Sequence, residues 1–179
     1  MTTFKRDRWE DSFLENLAHL GLTMMIVFVL LLLSAFPFKL GGFGEIRPAF
    51  LLMAVYYWSI FRPRMMLPVG TFLSGIILDL LAGMPLGLNT LTLLVVQILT
   101  RGQRKFMQSQ RFAVIWIGFH MVALGAALLQ WAIYSLFEWH WMPMKPLLIS
   151  AIMTGLIFPL AVLPLYAINR AVDRHRASA

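Results

Sequence analysis

One acid stands alone in a long apolar stretch. Asp79 lies within Gly75–Gly87, G-I-I-L-D-L-L-A-G-M-P-L-G. A carboxylate held in hydrocarbon can relay protons, hold a cation or pair with another polar group, and its cost makes it a functional candidate by default. Gly75, Asp79, Gly83 and Gly87 recur at a four-residue step. On a helix that step keeps residues on one face, where small side chains let a second helix come close. The other polar groups inside apolar runs are Asn89, Gln97, His120 and Gln130. Together with Asp79 they could line a solute site or a proton path, but interhelical hydrogen bonding is the plainer use for them.

Catalytic chemistry finds little purchase. A rhomboid-type serine needs a G-x-S-G run, and Ser74 follows Phe72-Leu73. Neither an H-E-x-x-H motif nor a glycine-rich phosphate loop is present. His19, His120, His140 and His175 fall in separate segments, and there are no cysteines, so no metal-ligand spacing arises. The reading is of a non-enzyme with no catalytic residues, no metal and no cofactor.

These residues need elements to position them. The 179 residues are 60% hydrophobic and 13% charged, with a mean hydropathy of +0.77, where a soluble domain carries roughly 25% charged residues. Six apolar runs fill the chain, at about 17–36, 48–61, 65–82, 86–100, 112–137 and 147–168. The fold class expected is an all-α integral membrane protein of about six transmembrane helices. Residues 1–16 form a tail that reads as a helical extension of the first span, with an interfacial helix on Trp9, Phe13, Leu17 and Leu20 as the alternative. Residues 17–168 form the transmembrane domain, and 169–179 a basic tail.

Charge sets the orientation. With the N-terminus inside, segments 1–16, 62–64, 101–111 and 169–179 hold 12 Lys and Arg, against 3 in segments 37–47, 83–85 and 138–146. That asymmetry places both termini in the cytoplasm. The same clustering in turns accounts for the net charge of +7 without nucleic acid. The 101–111 loop reads as a topology determinant, with anionic membrane lipids as a further contact. Pro159 and Pro164 predict a kink in the last span.

Asp79 can be placed more closely. Gly83 followed by Met84-Pro85 is a helix stop, so the acid sits in the last turn of its helix, where the negative dipole end calls for a cation. Counting from the turn at Arg62-Pro63-Arg64, Arg47 and Asp79 lie at equal depth, roughly 21 Å along antiparallel neighbours. The expectation is an Arg47–Asp79 pair near the periplasmic edge. The alternative has Arg47 snorkelling to headgroups and Asp79 wetted from outside.

Arg47-Pro48 stands before L-L-M-A-V-Y-Y-W, followed by Pro63 after the turn and by Gly75-x-x-x-Asp79-Leu80-Leu81-x-Gly83-x-Pro85-Leu86-Gly87. Gly155-x-x-x-Pro159 lies before a basic tail. This ordered set carries a resemblance to the rod shape-determining protein MreD family. It implies a bundle like the membrane substrate-binding subunits of ECF-type transporters, in the bacterial inner membrane. It also implies a scaffold of the elongation machinery that binds MreC and links MreB to the RodA glycosyltransferase and a penicillin-binding transpeptidase. Arg47, Pro48, Gly75, Asp79, Gly83, Pro85, Gly87, Gly155 and Pro159 are then structural or partner-positioning residues. The alternative function is a small-solute-binding membrane subunit of an ECF-like transporter, with a cavity lined by Asp79, Asn89, Gln97 or His120.

Overall fold

The structure is a computed structural model that describes residues 21, 24–40, 44–63, 66–138 and 144–177, with side chains described at these positions outside 38–46, 137–138 and 163–177. The N-terminal segment 1–16 lies outside the described residues. Helix α1, Met24–Ala35, leads into two three-residue strands, β1 (Phe38–Leu40) and β2 (Gly44–Ile46), paired antiparallel with Phe38 opposite Ile46. Then come α2 (Phe50–Phe61), α3 (Pro68–Ala82), α4 (Leu88–Gly102), a short α5 (Arg104–Gln108), α6 (Phe112–Glu138) and α7 (Lys145–Ala177). The architecture is helical apart from the β1–β2 hairpin, which departs from the all-α expectation.

Among the described residues two helices, α6 and α7, are long and apolar enough to cross a membrane unaided. At 1.5 Å per residue, the 12-residue α2 spans only about 18 Å. Helix α7 continues through Pro159 and Pro164 to Ala177, so the expected basic tail is a helical extension of the last apolar run.

Helix α2 is the centre of the molecule. Every residue from Leu51 to Ile60 is buried, including Tyr56 and Trp58. It packs against α4, α5, α6 and α7. Tyr56, Phe119 and Phe158 form an aromatic cluster, with the two phenylalanine rings stacked at 4.1 Å. Outward faces are equally apolar: Val69, Phe72, Leu73, Leu80, Ile117, Met121 and Leu160 are exposed. In water such a surface would aggregate; against lipid tails it is the expected exterior.

The expectation that the second and third apolar runs lie side by side is corrected. Helix α3 packs chiefly on α4, while α2 takes the interior. The reason is steric. Gly75 leaves so little room that a Cβ there would lie 2.5 Å from the Thr90 backbone, so the small residue of α3 receives α4.

Candidate functional site

The α3–α4 corner is built from the motif residues themselves. Helix α3 ends at Gly83, whose φ of +63° is left-handed and whose N–H bonds Asp79 O. The Met84 N–H reaches the same carbonyl at 3.0 Å. Together these close a Schellman-type end, which glycine accommodates without a Cβ penalty. Pro85 O accepts from the Leu88 N–H at 3.2 Å as the chain turns back. Gly87, at φ +100°, then precedes α4 as its N-cap.

That N-cap lacks a side chain, so the first N–H groups of α4 need an acceptor from elsewhere. Asp79 supplies it across the corner. Its fully buried carboxylate accepts from the Gly87 N–H at 2.9 Å, the Asn89 N–H at 2.9 Å and the Thr90 N–H at 3.4 Å. Asn89 Nδ2 and the Thr90 hydroxyl add two donors at 2.9 Å each. A carboxylate at a helix N-terminus is also favoured by the dipole. Asp79 thus sits at the unfavourable end of its own helix and the favourable end of the next. A carboxylate with five donors is fully engaged, which leaves it poorly suited to pass protons.

Arg47 reaches the same corner by a different contact. Its Nη1 donates to Ala82 O at 2.8 Å, at the α3 C-terminus, where a cation suits the dipole. Arg47 and Asp79 therefore lie at the same end of α3. The direct Arg47–Asp79 pair does not form among the described residues. Five donors of the α4 N-terminus take the carboxylate, and the guanidinium caps the carbonyl end of α3.

The segment after Arg47 stitches α2 into the bundle. Ala49 N–H donates to Thr154 Oγ1 at 3.0 Å, Leu51 N–H donates to Ser34 Oγ at 2.9 Å, and the Ser150 hydroxyl donates to Arg47 O. Pro48, buried beside them, has no N–H to satisfy. At the other end of α2, Arg104 Nε and Gln108 Nε2 donate to Ile60 O at 3.0 and 2.7 Å. Arg101 Nη2 holds Pro63 O at 3.0 Å and Met66 O, and Gln97 Nε2 donates to Met66 O at 2.9 Å. Two basic residues of the 101–111 loop are therefore cationic caps on backbone carbonyls, while Lys105 and Arg111 are exposed.

The remaining polar residues fall into separate places. Gln130 Nε2 donates to Asn89 Oδ1 at 2.9 Å, joining α6 to α4. His120 Nδ1 lies 3.1 Å from Trp116 O, so that nitrogen carries the proton, and the Trp116 indole donates to Gly155 O at 2.9 Å. A side chain at Gly155 would collide with the His120 ring, so this glycine sets the α6–α7 seam. Pro159 lies one turn further along α7.

A cavity of about 370 Å³ opens between α1, α2, α3, α4, α6 and α7 on the α3–α4 corner side. Asn89 lines it, as the sequence suggested; Asp79, Gln97 and His120 do not. Sequence reasoning missed Ser34, Ser150, Thr154, Arg104 and Gln108. The four-residue step from Ser150 to Thr154 was the available signal, since two hydroxyls on one helix face suit a buried backbone end. No group of His, Cys, Asp and Glu that could hold a metal occurs among the described residues.

The sequence profile of the family described as rod shape-determining protein MreD matches residues 16–168. The rod shape-determining protein MreD of Haemophilus influenzae is 24% identical over 159 residues, covering 86% of this chain and 93% of that protein. No solved structure matches the chain. With most of its length covered by the family profile, the chain belongs to the MreD family of rod shape-determining membrane proteins.

Proposed function

We propose that the protein is a non-enzymatic scaffold of the cell-elongation machinery in the bacterial cytoplasmic membrane. In this reading it has six spans in an arrangement like the ECF substrate-binding subunits, with both termini cytoplasmic. It binds MreC directly and, through it, connects MreB with RodA and a penicillin-binding transpeptidase. The observation that carries the reading is the family match over residues 16–168. Two further features support it. The buried polar groups near Arg47 and Asp79 are engaged in capping helix ends. The outward faces of α3 and α6 present apolar side chains suited to lipid or to another membrane helix.

Co-expression with full-length MreC, followed by affinity capture in mild detergent, tests the reading. Co-elution at fixed stoichiometry, together with restoration of rod shape in cells lacking the protein, is expected. Restored rod shape with no recovery of MreC would contradict direct binding.

A further inference from the structure

We infer that the cavity beside the α3–α4 corner is a binding site for an uncharged amphiphile whose head donates a hydrogen bond. The cavity holds about 370 Å³, far above the voids a close-packed core tolerates. It exists because facing helices place alanines there: Ala82 on α3, Ala123, Ala126 and Ala127 on α6, and Ala151 on α7.

Its chemistry changes along its length. Arg47, Asn89 and Gln130 line the end nearest the corner. Leu51, Leu52, Leu93 and Ala123 line the opposite end, one to two helical turns deeper, where the hydroxyls of Ser34 and Thr92 are engaged with the Leu51 N–H and Leu88 O. Few convergent polar groups over an apolar pocket are the usual form of a small-molecule site. Scaling from an engineered cavity of about 150 Å³ that holds benzene, the space suits about fifteen non-hydrogen atoms.

The polarity of the head wall follows from Asp79. An ionised carboxylate only accepts hydrogen bonds, so Asn89 must turn its Nδ2 toward Asp79 Oδ1, as it does at 2.9 Å. Asn89 Oδ1 then faces Gln130, which must donate through Nε2, again at 2.9 Å. The chain Asp79–Asn89–Gln130 therefore fixes both amides. It leaves Gln130 Oε1 as an acceptor used by no described residue. A ligand head meets a carbonyl oxygen there, with a negative charge two residues behind it. An O–H or N–H donor is matched, and because the Arg47 guanidinium at the same end offsets the Asp79 charge, the wall carries no net charge to draw an ionic head. The geometry does not separate a membrane-derived glyceride from a soluble alcohol of the same chemistry.

The test uses the full chain in phosphatidylcholine nanodiscs, whose headgroups carry no donor, with thermal unfolding followed by tryptophan fluorescence. The probes are monooctanoylglycerol, octanoate and n-octane. Monooctanoylglycerol is expected to raise the midpoint saturably, by roughly 5–10 °C at a hundredfold excess over Kd, with less than half that from the other two. Gln130→Met should reduce its effect to that of octane. Ala127→Leu, which fills the space, should abolish it; Ala151→Leu serves the same purpose should the first variant not purify. Competition by monooleoylglycerol would indicate a membrane source, and its failure beside effective short glycerides a soluble one. Equal stabilisation by octane or octanoate would overturn the inference. So would no saturable shift, or a full response in the filled variants.

Discussion

The two ends of α3 meet the same demand with opposite charges. At the α3–α4 corner an anion, Asp79, collects the N–H groups that open α4. At the α2–α3 turn the cations Arg101 and Arg104 collect the carbonyls at residues 60, 63 and 66. Both follow from backbone groups that helix ends leave unpaired. The finish differs. Both oxygens of Asp79 are engaged, whereas Gln97 Oε1, Thr100 Oγ1, Arg101 Nε and Ser59 Oγ are buried near the turn with no partner among the described residues. The corner is also fixed by two left-handed glycines and the close approach at Gly75. Short, fully bonded groups specify one geometry. Long side chains on carbonyls leave spare donors that permit another.

If that contrast is right, substitutions at the corner should cost more than those at the turn. The largest effect belongs to Asp79→Ala. It strands several buried donors at about 1–3 kcal/mol each, so a loss of about 3–5 kcal/mol is expected, read as failure to recover monodisperse protein by size exclusion. Gly75→Val comes next, because a branched side chain must push α4 off the Thr90 backbone. Overpacking of this kind costs about 1–3 kcal/mol, and the thermal midpoint should fall accordingly. Gly87→Ala adds a Cβ at φ +100° and should cost about 1–2 kcal/mol. At the turn, Arg101→Met removes charged donors from Pro63 O and Met66 O. Because Gln97 still serves Met66 O, the expected loss is smaller, about 1 kcal/mol. Gln97→Met should be nearly silent, within about 0.5 kcal/mol, since it deletes an unpartnered buried oxygen along with one bond. An Arg101 or Gln97 variant as damaging as Asp79→Ala would break the comparison.

Much of the corner was legible in the sequence because local rules govern it. Gly83 before Met84-Pro85 announces a helix stop from three residues alone, and counting residues from the turn puts Arg47 at the same end of α3 as Asp79. The partner of Asp79 was not legible. Dipole logic applied to α3 alone calls for a cation, whereas the folded chain brings the opposite pole of α4 against the same carboxylate. Which helix fills the interior was equally hidden. Short α2 and short α3 are alike in apolar content, and only packing puts Leu51–Ile60 inside. The alanine lining of the cavity escaped for the same reason: these residues lie on three helices and read as ordinary helix formers until those helices face one another.

The most direct measurement compares two double-mutant cycles in thermal unfolding, one pairing Asp79→Asn with Thr90→Val and the other pairing Asp79→Asn with Arg47→Gln. If Asp79 serves as the cap of α4, coupling to Thr90 should be about 1–2 kcal/mol and exceed coupling to Arg47. A larger coupling to Arg47, with Thr90 additive, would contradict the account and restore the ion pair.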